Sequence, residues 1–207
     1  MAGVRRRLTS AAVDVRLDTE ARAEDCEDGD VVVLASGARP YAPLLPAPGG
    51  ERLDAWTAIA DAAAVRGPVL VADWGGGWEG LDAAEVLARH GLVVTLACAA
   101  PCPGGTLHQY QRNLYLARLD EQGVAILHHT EVTGTRLRHL FSGRTSPLPA
   151  VASIVHAQGR EPEDELWAAL EGAPGRIRAG DVLGPRSAEE ATLEGVTALQ
   201  AARAAVS

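Results

Sequence analysis

Three glycines at Gly75-x-Gly77-x-x-Gly80 stand directly after a short apolar run, Val69 to Ala72, and directly before a helical stripe. The chemistry this spacing permits is backbone contact with a pyrophosphate. Without side chains at these positions a phosphate can reach the amide N–H groups at a helix start, where the helix dipole favours negative charge. Gly76 adds a fourth glycine to the loop. Two neighbours depart from the usual tight turn: Asp73 and Trp74 lengthen it, and Glu79 brings a carboxylate to the place a phosphate would take. The same glycines could also serve only close strand–helix packing. An acidic residue for the ribose hydroxyl should follow about 20 residues on, at the end of the next strand. The chain has Thr95-Leu96-Ala97-Cys98-Ala99 there, with neither a carboxylate nor an Arg for a 2′-phosphate. Redox exchange with free NADH or NADPH is therefore not supported at this loop. Adenine nucleotide binding without turnover remains open.

Other chemistry-bearing residues are sparser. Gly180-Asp181 follows a short strand and precedes a helix, where an Asp can accept from ribityl or ribose hydroxyls or simply make a turn. Cys98 and Cys102 are spaced Cys-x-x-x-Cys, neither a zinc nor a thioredoxin spacing. His128-His129 reads as adjacent residues of a strand, which would point the rings to opposite faces and keep them from sharing a metal. No carboxylate pair, Ser/His/Asp set or Cys/His set can be assembled, so no catalytic residue and no metal ligand is assigned. Trp74 and Trp78 flank the glycine loop as interface anchors or core filling.

The elements that must position these residues are legible in part. Val69 to Ala72, the glycine loop, the stripe Leu81, Ala84, Leu87 and Ala88 ending at Gly91, and the strand Leu92 to Ala97 form a βαβ unit. Leu107, Tyr110, Leu114 and Ala117 space a second helix, stopped by Gly123 before a strand at Val124 to Leu127. Arg5 to Val13 reads as a helix end, and Val13 to Leu17 has strand alternation. Val31 to Ala35 reads as a strand buried on both faces, closed by a tight turn at Ser36 to Pro40. Residues 40–50 hold four prolines and two glycines and read as a linker. Glu131 to His139 reads as a strand of a small meander, and Ser142 to Pro149 as a turn-rich connection. Ala152 to His156 is apolar, and its Gln158-Gly159-Arg160 end resembles Ser36-Gly37-Ala38-Arg39. A short helix (Glu163 to Leu170), a strand (Ile177 to Ala179) and a helix opened by a Ser187–Glu190 capping box follow. No solenoid repeat is present.

The 207 residues suit one large domain or two small ones, with 47% hydrophobic and 22% charged residues. The net charge of −8 argues against a nucleic-acid partner. All 19 basic residues are Arg, which removes Schiff-base and P-loop lysine chemistry. No apolar run approaches the ~20 residues of a bilayer span, no signal peptide is read, and three cysteines suit a reduced cytoplasm.

In order along the chain, several of these segments resemble one flavoprotein family. Val31 to Pro40 resembles the strand and turn that end the first FAD-binding segment of two-dinucleotide flavoproteins. Val69 to Gly80, with Asp73 and Glu79, and Ala83 to Gly91 resemble the second nucleotide loop of the 2,4-dienoyl-CoA reductase and trimethylamine dehydrogenase family, of old-yellow-enzyme type. Ile154 to Pro162 and Gly180 to Arg186 fit the same family. The resemblance implies an α/β fold in which a Rossmann-like parallel-sheet lobe, 51–150, is inserted in a partial FAD-binding lobe, 1–50 and 151–207. It implies cofactor contacts from Gly75, Gly76, Gly77, Glu79 and Gly80 to NAD(P) or ADP, and from Gly37, Arg39, Gly180 and Asp181 to FAD. The family's FMN-bearing barrel, its iron–sulfur segment and the first FAD fingerprint have no counterpart in these residues. The expectation is a cytoplasmic small subunit that shares FAD with a larger flavoprotein partner carrying those parts. The alternative is a scaffold subunit with a degenerate nucleotide site.

Overall fold

The computed structural model describes residues 2–11, 13–26, 30–43, 50–170 and 173–206. The chain forms two compact units, Met1–Gly37 with Glu163–Ser207, and Ala38–Pro162 inserted between them.

The first unit opens with α1 (Ala2–Ser10) and β1 (Val32–Leu34). The inserted unit runs β2 (Ala38–Pro40), β3 (Glu51–Asp54), α2 (Ala55–Ala60), β4 (Val69–Asp73), α3 (Trp78–Arg89), β5 (Val94–Cys98), α4 (Gln109–Glu121) and β6 (Ala125–Leu127). It continues through β7 (Thr130–Thr133), β8 (Arg136–His139), β9 (Thr145–Pro147), β10 (Ser153–Ala157) and β11 (Arg160–Pro162). The first unit then resumes with α5 (Glu165–Ala169), β12 (Arg176–Arg178) and α6 (Ala188–Val206).

In the inserted unit five parallel strands lie in the order β3-β10-β4-β5-β6. Every residue of β4 and of β10 is buried, as both faces of the sheet are covered. Leu81, Ala84 and Leu87 of α3, with Ala58 of α2 and Leu119 of α4, pack on Val69, Val71 and Leu96. Leu70, Ala97 and Ile154 on the opposite face pack with Leu137 of the antiparallel meander β7-β8-β9. Asp54 caps α2: Oδ1 accepts from Thr57 N at 2.9 Å and Oδ2 from Thr57 Oγ1 at 2.6 Å, a cap worth about 1 kcal/mol. After β4 the chain moves outward to β5 and β6, then returns to the other side of β4 as β10. The order reverses at β4, so the carboxyl end of β4 is the topological switch point where open α/β sheets bind ligands.

In the first unit β1 and β12 form a two-stranded parallel sheet, and α6 packs on both strands. The Ser187 capping box forms: Glu189 N donates to Ser187 Oγ and Ser187 N to Glu190 Oε2.

Several local expectations need correction. Val13 to Leu17 is not a strand: among the described residues no strand pairs with it, and Leu17 is 73% exposed. β1 is not buried on both faces: Val33 is exposed. Ser36 to Pro40 is not one tight turn. Gly37 turns at φ +88°, and Ala38–Pro40 then pairs antiparallel with β11. Glu131 to His139 is a hairpin of two strands, and β9 falls within the expected turn-rich connection. Of the helix stripe Leu107, Tyr110, Leu114 and Ala117, Leu107 is in the core just ahead of α4, but the other three are exposed and out of phase. In α4 it is Tyr115, Leu116 and Leu119 that face the core, while Tyr110 is 79% exposed. His128-His129 lies in a turn, with His129 at φ +53°, and not on a strand. Ala152 to His156, expected in the flanking lobe, pairs as β10 between β3 and β4, so the inserted unit reaches from Ala38 to Pro162. Most of the linker expected at 40–50 lies outside the described residues.

Candidate nucleotide-binding site

The glycine loop crosses from the carboxyl end of β4 to the start of α3, and its four glycines answer to different constraints. A Cβ on Gly80 would lie 2.7 Å from Asp73 Cβ and Cγ, so this glycine lets the first turn of α3 approach β4. Gly76 has φ +63°, and a Cβ there would meet Ala100 Cβ at 2.7 Å and Cys102 O at 2.9 Å. Gly77 is the N-cap of α3, and its Cβ would lie 2.9 Å from Glu79 Oε2. A Cβ on Gly75 would meet nothing within 4 Å. Packing therefore accounts for Gly76 and Gly80, whereas Gly75 faces open space.

Asp73 is the buried polar centre beneath this loop. Its Oδ1 accepts from Gly76 N at 2.9 Å, while Oδ2 is buried with no hydrogen-bond partner among the described residues. Burial pushes the Asp73 carboxyl up to about 6, against the Gly76 hydrogen bond that favours its charged form. The Cys98 thiol at the end of β5 is pushed up to about 12, by burial first and by the Asp73 charge second. A thiol held there stays protonated and is a poor nucleophile.

Glu79, in the first turn of α3, pairs with Arg160 of β11 at 3.4 Å. Its carboxylate lies back over Gly77, at the helix end where unpaired amides and the dipole would attract a phosphate. Arg160 escaped the sequence reading. The one signal for it was the likeness of Gln158-Gly159-Arg160 to Ser36-Gly37-Ala38-Arg39. The helix that follows the loop, α3, is held against α4. Trp78 meets Tyr115 edge-on at 5.7 Å, Tyr115 Oη donates to Asp82 Oδ1 at 2.6 Å, and Arg118 pairs with Glu85 at 3.0 Å.

On the meander side of the switch point is a cavity of about 100 Å³, lined by Trp74, Ala97, Ala99, Glu131 and Gln158 among others. Gln158 Nε2 donates to Ala72 O at 2.8 Å, and Glu131 accepts from Arg138 Nε at 2.6 Å and Thr133 Oγ1 at 2.9 Å. Trp74 is 62% exposed at its rim. The cavity is too small for a whole dinucleotide.

The remaining sequence-derived residues fall elsewhere. Gly37 and Gly180 follow the carboxyl ends of the paired strands β1 and β12, with φ +88° and +76°. Gly180 N donates to Glu194 Oε2 at 2.8 Å, and Asp181 Oδ1 accepts from Arg186 N at 3.2 Å. Arg39 of β2 pairs with Glu161 of β11 at 2.9 Å. Among the described residues no group of three or more His, Cys, Asp or Glu is placed to hold a metal ion. No described helix is long and apolar enough to cross a membrane.

A glycine loop at the switch point of a parallel sheet is a dinucleotide arrangement, and comparison with known proteins agrees. A search of curated proteins finds no match. Among solved structures, 2-naphthoyl-CoA reductase in complex with 2-naphthoyl-CoA is 20% identical with a TM-score of 0.75, over 92% of this chain and 30% of that one. The 6-hydroxypseudooxynicotine amine oxidase of Pseudomonas geniculata N1 is 26% identical, TM-score 0.75, over 90% and 31%. Histamine dehydrogenase from Rhizobium sp. 4-9 is 20% identical, TM-score 0.70, over 93% and 33%. The chain thus spans about a third of the length of each. The family described as pyridine nucleotide-disulphide oxidoreductase matches residues 3–183. The chain belongs to this family of flavoprotein oxidoreductases, with the Rossmann-like fold of its FAD- and NAD(P)-binding domains.

Proposed function

We propose that this chain is the nucleotide-binding small subunit of a flavin-dependent oxidoreductase of the 2,4-dienoyl-CoA reductase and trimethylamine dehydrogenase type. A larger flavoprotein chain would supply the substrate site, the FMN barrel and the iron–sulfur cluster, in a reduced, cytoplasmic setting. The observation that carries the reading is the glycine loop at the switch point of a parallel sheet, in a chain of a flavoprotein oxidoreductase family. Gly75, Gly76, Gly77, Glu79 and Gly80 would border an NAD(P) or ADP. Gly37, Arg39, Gly180 and Asp181 would serve an FAD shared with the partner. The open space at Gly75 fits an incoming pyrophosphate. The bound cofactors would supply hydride and electron transfer; the chain's own residues bind and orient.

A second reading, a scaffold subunit with a degenerate nucleotide site, is favoured by two observations. The Glu79–Arg160 pair sits at the α3 N-terminus, and no charged residue closes β5 (Cys98, Ala99, Ala100). Affinity purification of the chain from its host, with extraction of FAD, FMN, ADP and NAD(P) from the eluate, separates the two. A flavoprotein partner together with NAD(P) or ADP supports the first reading. A partner without any extractable adenine nucleotide supports the second.

A further inference from the structure

The terminal helix carries its large apolar side chains on the wrong side for a helix that serves only its own fold. α6 packs on β1, β12 and the turn Gly180–Val182. The face it turns inward is small and partly polar. A Cβ on Gly180 would lie 3.7 Å from Ala191 Cβ, Glu194 Oε2 accepts from Gly180 N at 2.8 Å, and Ala198 is buried. Leu193, Val196 and Leu199 lie on the opposite face, 65%, 52% and 52% exposed. A helix that covers a core normally has the reverse distribution, apolar inward and polar outward. Single exposed apolar residues are ordinary, but a contiguous stripe of them marks an interaction surface.

The order of residues on that face indicates what covers it. At about 100° per residue, positions 189, 192, 193, 199, 200 and 203 all fall within about 60° of Val196, and every one of them is exposed. Outward from Val196 the face is complementary to its own reverse. Leu193 and Leu199 stand three residues to either side, Thr192 and Gln200 four, and Glu189 and Arg203 seven. In an antiparallel pair of α6 helices, a two-fold axis at Val196 therefore sets Val196 on Val196, Leu193 on Leu199, Thr192 on Gln200 and Glu189 on Arg203. Each contact is of a matched kind: apolar on apolar, amide donor on hydroxyl acceptor, carboxylate on guanidinium. Thr192 Oγ1 donates to Ala188 O at 2.7 Å, which leaves its lone pairs for the Gln200 amide. The helix dipole by itself favours Glu189 in the first turn and Arg203 in the last. It gives no reason for three large apolar residues in water between them.

We propose that two copies of this chain pair through the outer faces of their α6 helices, antiparallel about a two-fold axis at Val196. The pairing requires neither a nucleotide nor the flavoprotein partner, so its failure leaves the proposed function untouched. One helix face is a small interface, so the dimer should be weak, with a Kd of roughly 1–100 μM. The test is sedimentation equilibrium of the full chain and its variants up to about 300 μM, above that Kd range, with helix content checked by circular dichroism. The native chain should show a monomer–dimer equilibrium. Val196→Glu brings two carboxylates together at the axis and should raise the Kd at least ~100-fold at unchanged helix content. Glu189→Arg sets Arg against Arg at both ends of the pair and should raise the Kd by ~5–30-fold. The double variant Glu189→Arg/Arg203→Glu restores opposite signs and should return the Kd to within ~3-fold of the native value. A native chain still monomeric at the highest concentration overturns the proposal, as does a dimer that Val196→Glu leaves intact. A dimer weakened as much by the double variant as by Glu189→Arg overturns the antiparallel register. A chain that is monomeric alone, and that loses a flavoprotein partner through Val196→Glu, assigns the face to that partner and overturns the pairing of copies.

Discussion

A methyl group on Gly80 would lie 2.7 Å from two atoms of Asp73, and one on Gly75 would touch nothing. Gly80→Ala is therefore expected to destabilise the fold by about 1–3 kcal/mol through overpacking, and Gly75→Ala by less than about 0.5 kcal/mol. Urea denaturation of both variants measures the difference. Asp73 adds a pH signature. Its carboxyl stands near 6 in the fold against 3.8 as the ordinary value, raised chiefly by burial. A carboxyl raised on folding contributes its stabilisation fully below 3.8 and loses it as pH rises through 6. Relative to Asp73→Asn, the native chain should lose on the order of 2–3 kcal/mol between pH 4 and pH 7. Parallel pH profiles would contradict the burial argument. Glu79→Gln removes a carboxylate from the α3 start. It should cost about 0.3–1 kcal/mol of stability while strengthening ADP binding, as read by calorimetry. Weaker binding would mean that Glu79 supports the ligand.

At the scale of elements, α4 shows where sequence patterning misleads. Leu107, Tyr110, Leu114 and Ala117 have helical spacing, yet only Leu107, ahead of the helix, joins the core, which within α4 takes Tyr115, Leu116 and Leu119. Tyr115 is held by its hydroxyl bond to Asp82 and Arg118 by its pair with Glu85, and these cross-helix contacts set the rotation. A polar tether between two helices leaves no mark in hydrophobic period. Leu119→Ala is expected to cost about 2–5 kcal/mol and Leu114→Gln less than about 0.5 kcal/mol. The reverse order in thermal denaturation would restore the sequence-derived face. The βαβ unit was legible because its signals agree: the apolar run Val69 to Ala72 of β4, glycines at the turn, and a stripe of Leu81, Ala84 and Leu87 ended by Gly91. Val13 to Leu17 was misread for the opposite reason. It has strand alternation, but a strand needs a neighbour, and no strand among the described residues pairs with it.

At the scale of the whole molecule, the α/β class and the insertion of one unit in another were legible from the order of segments. The boundaries were not, because β10 reads equally well as a strand of either unit until its pairing with β3 and β4 is seen. The site residues divide likewise. The glycine loop was visible as a motif, but the Glu79–Arg160 pair joins residues 81 positions apart and is set only by the fold. The central claim is that the switch point of the inserted unit binds an adenine nucleotide. The direct measurement is calorimetric titration of ADP, NADH and NADPH into the chain and into its Gly75→Val variant, with the melting temperature of each recorded. The account expects saturable binding to the native chain that the variant loses at an unchanged melting temperature. Binding unaltered by Gly75→Val, or no binding by the native chain or its purified complex, would contradict it.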